Sequence, residues 1–119
     1  MNDVNGKIQY KDHEYTIVFN LNVMEAIQAE YGSLEEWGNL TDGSESGESG
    51  EPDAKAVIFG FTEMINEGID MANEEDGTDV KPLTRKQVGR MITEVGLAEA
   101  TATMNQTVVE STKGEEKNE

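Results

Sequence analysis

Apolar and polar side chains alternate near the N-terminus of the chain. The residues at positions 15, 17, 19 and 21 are apolar, and Ile8 and Tyr10 repeat this spacing on the preceding segment. A repeat of two is the side-chain period of a β-strand. The pattern therefore predicts a β-hairpin over residues 7–21, with its turn at Lys11-Asp12-His13.

The apolar spacing changes to three and four residues after the hairpin, which is typical of helices. Asn22 is the predicted cap of a first helix that ends at Gly32, and Ser33 with Glu36 predicts the start of a short second helix. The side chains expected to face the core from these two helices are Val23, Met24, Ile27, Tyr31, Leu34 and Trp37.

A long helix is predicted over residues 53–73, with one broad apolar face. Gly60 and Gly68 lie eight residues apart on this helix. A glycine in a helix interior costs about 1 kcal/mol relative to alanine. We expect these glycines to admit a neighbouring backbone within the core, or merely to weaken the helix, rather than to form a groove for a partner.

Two more helices are predicted in the C-terminal part. Thr84 and Gln87 have the spacing of a capping box, and Gly96 is the expected end of the helix that they begin. A last helix, from Leu97 to about Val109, has a thinner apolar face. The predicted fold class is therefore α+β and mostly α, with a short N-terminal β-hairpin followed by four or five helices around one small core.

Polar segments separate these elements. Residues 41–52 contain no apolar side chain besides Pro52, and residues 73–81 are rich in acids. Such segments gain too little from burial to offset the entropy lost on ordering. We predict a single small domain over residues 1–112, with flexible acidic loops at 41–52 and 73–81, and a disordered tail at 113–119.

Composition excludes several classes of protein. The 119 residues include 25 acids, 9 bases, one histidine and no cysteine, which gives a net charge of −16. The absence of cysteine excludes disulfide scaffolds, thiolate nucleophiles and iron–sulfur sites. The N-terminal residues show no secretory signal, and no apolar run approaches the roughly 20 residues that a membrane helix needs. We expect a cytoplasmic protein whose partners include no nucleic acid and no membrane, because anionic surfaces repel it.

No motif indicates catalysis. Acids at neighbouring positions, such as Glu35 and Glu36, point apart on a helix, and His13 lacks an evident catalytic partner. The acidic segment from Asn73 fails the calcium-loop pattern, because Gly77 and Thr84 occupy ligand positions. We therefore predict that the protein is not an enzyme and that it uses no cofactor and no metal.

Two features suggest binding. Lys81, Arg85, Lys86 and Arg90 fall within ten positions of an otherwise acidic chain. These cations either pair with the chain's own carboxylates or dock to an acidic surface, possibly on another copy, and the sequence leaves both open. Methionine, which is common on adaptable binding surfaces, occurs on the predicted helices. The candidate partner-binding residues are Met91, Ile92, Val95, Leu97, Met104, Val108, Arg85, Lys86 and Arg90.

Three stretches together resemble a known family. They are EYTIVFNLNVMEAIQAEYGSLEEW at 14–37, EPDAKAVIFGFTEMINEGIDMANEE at 51–75 and PLTRKQVGRMITEVGL at 82–97. Their order and local sequence resemble those of the small acidic tail assembly chaperones of tailed phages and prophages. The resemblance implies a protein that binds the tape measure protein and keeps it soluble in the host cytoplasm. It also implies help in recruiting the tail tube protein, and absence from the mature virion.

Two other functions fit the charge. An acidic DNA mimic would inhibit a host nucleic-acid-binding enzyme, but it needs carboxylates held rigidly at the spacing of phosphates. Twelve of the 25 acids fall in the segments predicted to be flexible, with Asp53 at the edge of the first counted among them, which argues against mimicry. A minor structural tail protein is the third possibility, and a homo-oligomer is compatible with each of the three.

Overall fold

A two-stranded antiparallel hairpin opens the fold in the computed structural model, which describes residues 5–41 and 52–116. Strand β1 (Asn5–Tyr10) pairs with β2 (His13–Val18), and Ile8 lies opposite Tyr15. The hairpin is thus confirmed, but β2 ends at Val18 rather than at residue 21, and His13, predicted to lie in the turn, is the first residue of β2. The two-residue turn places Lys11 at φ 57°, the left-handed conformation that tight hairpin turns require.

Helix α1 (Leu21–Tyr31) begins two residues earlier than predicted. The side chain of Asn20 accepts a hydrogen bond from the backbone N–H of Val23 at 3.2 Å, which makes Asn20 the N-cap. The predicted cap, Asn22, was wrong: it lies within α1, and its amide donates to Glu67 instead. The helix ends at Gly32, as predicted.

The remaining helices follow the predicted order. They are α2 (Leu34–Thr41), α3 (Ala54–Asp76), α4 (Arg85–Val95) and α5 (Leu97–Glu116). The hairpin and five helices confirm the predicted α+β, mostly α, fold class. In the described parts of the chain, none of the helices has the length and apolar character needed to cross a membrane.

Three predicted boundaries of the polar segments were wrong. Thr41, the first residue of the predicted loop at 41–52, is the last residue of α2 and is buried. Helix α3 continues through Asp76, and only then does Gly77 end it in the left-handed conformation, at φ 67°. The predicted loop at 73–81 therefore begins inside the helix. Helix α5 likewise extends past Val109 to Glu116 and includes the first four residues of the predicted tail. Residues 42–51 of the other predicted loop, and residues 117–119, lie outside the described residues.

The two glycines of α3 make room for neighbours in the core. A Cβ atom added at Gly60 would lie 2.8 Å from Cε2 of the buried Trp37 indole, whose Nε1 donates to the carbonyl of Ala56 at 2.9 Å. At Gly68 the backbone carbonyl of Thr16 on β2 occupies the corresponding space. The expected approach of a neighbouring backbone is confirmed at Gly68, whereas at Gly60 the neighbour is the side chain of Trp37.

Helix α5 closes the core with small side chains. Met104 is fully buried, and Ala100, Thr107 and Ser111 lie on the same inner side. The Ser111 hydroxyl donates to the carbonyl of Phe19 at 3.3 Å, which ties the end of α5 to the segment after the hairpin. These small residues let α5 pack closely against β1 with little apolar bulk, which explains its thin apolar pattern.

Candidate partner-binding surface

Two sets of hydrogen bonds fix the start of α4. The Thr84 hydroxyl accepts from the N–H of Gln87 at 3.1 Å, and the Gln87 side chain accepts from the N–H of Thr84 at 2.8 Å, which completes the predicted capping box. Just before this cap, the amide of Asn66 on α3 bonds both backbone groups of Leu83. The first turn of α4 is therefore held in place relative to α3.

Helix α4 divides sharply into two faces. Val88, Met91 and Ile92 are buried in the core, as their helical spacing predicts. Arg85, Lys86 and Arg90 are exposed on the other side. The apolar face is thus used for folding, and the polar face is the one that solvent and partners can reach.

A shallow groove of about 580 Å³ lies along the exposed face. We call it the α4 groove. Ile58 of α3 and Gly89 contribute its least polar part, and a Cβ atom added at Gly89 would contact only Cδ1 of Ile58, at 3.7 Å. The residues that line the α4 groove are Ile58, Arg85, Lys86, Gly89, Arg90, Thr93 and Glu94.

An aromatic pair supports Arg85 at one end of this groove. The guanidinium carbon of Arg85 lies 5.7 Å from the centre of the Phe59 ring, within cation–π range. Phe59 in turn meets Tyr31 edge to face, with ring centres 5.6 Å apart. Burial raises the pKa of the Tyr31 hydroxyl, and the charges of Asp53 and Glu30 add to this rise. Arg85 is therefore oriented by a ring face, which uses none of its hydrogen-bond donors.

A second concavity, of about 220 Å³, lies between α4 and the hairpin. We call it the hairpin pocket. Tyr10, Tyr15 and Lys11 line it from the hairpin side, while Arg90 and Met91 line it from α4. Arg90 thus borders both concavities, and the basic surface continues from α4 to Lys11 at the hairpin turn.

The described part of the chain contains two ion pairs, and neither involves a cation of α4. Lys7 lies 3.8 Å from Glu14, and Lys55 lies 3.7 Å from Glu30. The sequence left open whether the basic cluster pairs with the chain's own carboxylates. Within residues 5–41 and 52–116, no such pair forms at Arg85, Lys86 or Arg90.

The nine candidate partner-binding residues separate into three groups. Met91, Ile92 and Met104 are core residues with exposures of 1, 5 and 0%, so a partner does not reach them in this fold. Val95 and Val108 are partly buried and pack against the same core. Only Leu97, at 42% exposure, and the three cations of α4 are accessible. Helical spacing looks the same for a core face and a binding face, which is why the sequence did not separate these groups.

Sequence reasoning missed other accessible residues. Leu21, Val80 and Val109 are exposed by 68, 57 and 56%. Leu21 was assigned to the inner face of a strand, but it follows the cap Asn20 and lies in the first turn of α1. The groove residues Ile58 and Gly89 were also missed, because a groove between two helices leaves no periodic signal in either one.

Acids follow one side of α3. Glu63, Glu67, Asp70 and Glu74 are spaced by four, three and four residues, which places them along one helix face. We call this set the acidic row. Glu67 accepts hydrogen bonds from the amides of Asn20 at 2.7 Å and Asn22 at 3.1 Å. The sequence predicts Glu74, Glu75, Asp76, Glu115 and Glu116 in flexible segments, but the first three lie on α3 and the last two on α5, which weakens that argument against mimicry.

The remaining candidate chemistry is sparse. The exposed His13 ring packs against Tyr15 with ring centres 4.6 Å apart and the ring planes tilted by 50°. In the parts of the chain that the structure covers, no three His, Cys, Asp or Glu residues are grouped so that they could hold a metal ion. The expected lack of catalysis and of cofactors stays a prediction.

No protein-family model, curated protein or solved structure matches this chain.

Proposed function

We propose that this protein is a non-enzymatic tail assembly chaperone of a tailed phage or prophage. It binds the tape measure protein in the host cytoplasm, keeps it soluble while the tail is built, and leaves before the virion is complete. The observation that carries the proposal is the order of elements in residues 14–97, a strand followed by two short helices, one long helix and one short helix. This order underlies the resemblance of the sequence to that family.

The charge and surface of the protein support this role. A chaperone for an aggregation-prone client needs some exposed apolar contacts on a body that repels other copies of the complex. Leu97 and Val109 on α5 are exposed apolar side chains, and the net charge of −16 supplies the repulsion. The client contact would use such side chains together with the adjoining polar surface.

Co-expression with the tape measure protein of the same phage or prophage tests the proposal. We expect the client to move from the pellet to the soluble fraction and to co-purify with the chaperone. Leu97→Glu combined with Val109→Glu should reduce this rescue, because both changes place charge on exposed apolar contacts. Gln28→Glu with Ala29→Glu is the matched control, since it adds the same charge at exposed positions of α1.

Two outcomes would overturn the proposal. One is a client whose solubility does not change when the wild-type protein is present. The other is lasting presence of the protein in purified particles, measured by mass spectrometry, which would indicate a minor structural tail protein. Substitution of Met91 or Met104 would not test the interface, because both side chains lie in the core.

The acidic row favours a second candidate function, the DNA mimic. Four acids along α3 lie within residues 63–74, which span about 16 Å of helix. Such a row presents regularly spaced negative charge on an ordered element, as mimicry requires. Inhibition of DNA cleavage by host nucleases would support this function, provided that Glu63→Gln, Asp70→Asn and Glu74→Gln together abolish it. The triple variant Glu25→Gln, Glu35→Gln and Glu36→Gln, on α1 and α2, is the control.

A further inference from the structure

The α4 groove concentrates positive charge in a protein that is otherwise acidic. Arg85, Lys86 and Arg90 are three of the nine basic residues, and all three border one groove. None of them takes part in either ion pair of the described residues. Within residues 5–41 and 52–116 their side chains form no ion pair, although the chain carries 25 acids.

The position of these cations on the helix is itself unfavourable for stability. Arg85 and Lys86 occupy the first turn of α4, and this turn contains no acid. The N-terminus of a helix carries a partial positive charge, so cations in the first turn are destabilising. Folding alone does not explain their placement. Contact with a negatively charged partner would offset this repulsion.

We propose that the α4 groove binds a carboxylate-bearing helical segment of a partner protein. Lys86 and Arg90 are four residues apart on α4, so their side chains are neighbours on one helix face. Two acids one turn apart on a partner helix would match that spacing. The inference concerns this groove alone and holds whether or not the partner is a tail protein.

The shape of the groove suits a helix laid along it. Gly89 has no side chain, and an added Cβ there would find only Ile58 within contact distance. An apolar side chain of the partner can therefore lie against Ile58 while its acids reach the cations on either side. Arg85 is already oriented by Phe59, so less side-chain entropy is lost when its guanidinium engages a carboxylate.

A nucleic acid is the less favourable occupant of the same groove. Its continuous chain of phosphates would extend beyond three cations onto a surface that carries the rest of a net charge of −16. A short acidic helix places its charges only where the cations are. At physiological salt, charges further away than about 8 Å are largely screened, so the local cations dominate for a ligand of this size.

Fluorescence anisotropy with a labelled synthetic peptide tests the proposal. The probe is a short helical peptide with glutamates four residues apart and leucine between them. A peptide with glutamine at the glutamate positions and a single-stranded oligonucleotide of equal charge are the comparison ligands. The protein variants are Lys86→Glu with Arg90→Glu, and the milder Lys86→Gln with Arg90→Gln. The matched control is Lys7→Glu with Lys55→Glu, which makes the same change in net charge elsewhere.

We expect the wild-type protein to bind the acidic peptide, with an affinity that falls as salt is added. Charge reversal in the groove should weaken binding about tenfold or more, the glutamine variant less, and the Lys7/Lys55 control much less. Backbone amide shifts in an NMR titration should cluster on residues 85–94. Circular dichroism of each variant verifies that it is folded, and the glutamine variant serves if charge reversal prevents folding.

Four results would each overturn the proposal. They are no detectable binding of the acidic peptide, equal binding of the glutamine peptide, equal loss of binding in the Lys7/Lys55 control, and preference for the oligonucleotide. Self-association of the wild-type protein that disappears on charge reversal would assign the groove to a second copy instead. Analytical ultracentrifugation before addition of the peptide measures this directly.

Discussion

The side chain of Asn66 pairs with the backbone of Leu83 as an adjacent strand would. Its Nδ2 donates to the carbonyl of Leu83 at 3.0 Å, and its Oδ1 accepts from the N–H of the same residue at 2.8 Å. Asn73, seven residues further along α3, makes the same pair of bonds with Val80 at 3.0 Å each. The segment between α3 and α4 therefore runs antiparallel to α3 and is held at two points.

Replacement of Asn66 by alanine should destabilise the protein by about 1–3 kcal/mol, because the backbone groups of the partly buried Leu83 lose their partners. The matched change Asn73→Ala should cost less, about 0.5–1 kcal/mol, because its bonds are exposed and water can replace them. Urea unfolding followed by circular dichroism measures both values. If the two variants lose the same free energy of unfolding, burial does not determine how much these hydrogen bonds contribute.

Alanine substitutions at Gly60 and Gly38 should change the stability of the protein in opposite directions. A methyl group at Gly60 meets the buried Trp37 ring, which is fixed by its bond to Ala56, so we expect a loss of about 1–3 kcal/mol. Gly38 lies in α2, and no atom lies within 4 Å of a Cβ added there. Alanine at this position should raise the free energy of unfolding by about 0.5–1 kcal/mol.

Thermal unfolding compares the two glycine variants, and tryptophan fluorescence reports whether the Trp37 environment moves. A Gly60→Ala protein with wild-type stability and an unchanged emission spectrum would contradict the close packing of Gly60 against the Trp37 ring. Gly38→Ala is the control for the gain in helix propensity, which both substitutions share.

The two asparagine pairs show which parts of the fold the sequence could predict. Hairpin, helices and most helix ends follow from local rules of spacing and capping, and these were predicted correctly. Asn66 and Asn73 bond to backbone seventeen and seven residues away, and such bonds depend on the path of the chain rather than on a local motif. Asn20 and Asn22 illustrate the same limit, because either could cap α1, and Glu67 of α3 accepts from both.

The candidate surface was predictable only in part, for a related reason. The basic cluster at Arg85, Lys86 and Arg90 is visible in the composition, and the structure places all three around one groove. Met91 and Met104 were interpreted as possible contact residues, because a helical repeat does not tell which side the rest of the protein covers. Tertiary packing decides that question, and it buries both.

Met104→Ala should destabilise the protein by about 2–5 kcal/mol, since it leaves a cavity where α5 meets the core. Val109→Ala, five residues later on the same helix and 56% exposed, should change stability by less than about 0.5 kcal/mol. Chemical denaturation measures both changes, and equal m-values for the two variants show that the comparison reports stability. A Met104→Ala protein as stable as Val109→Ala would place Met104 on the surface and restore it as a contact residue.

Tyr31 should make the stability of the protein fall at alkaline pH. Its hydroxyl is buried and has no hydrogen-bond partner among the described residues, and burial raises its pKa, with Asp53 and Glu30 contributing. The folded protein therefore holds the phenolic proton more tightly than the unfolded chain, in which the pKa is about 10. This contribution is complete below pH 10 or so and is lost as the pH rises through the folded pKa.

Tyr31→Phe removes both the unsatisfied hydroxyl and its titration. We expect this variant to gain up to about 1 kcal/mol at neutral pH, because no hydrogen bond is lost, and to lose less stability between pH 9 and 11 or so than the wild type. Tyr10→Phe on the hairpin is the control that removes a tyrosine elsewhere. Urea midpoints measured across this range give the comparison. If Tyr31→Phe and the wild type lose stability in parallel, the Tyr31 proton is not what links folding to alkaline pH.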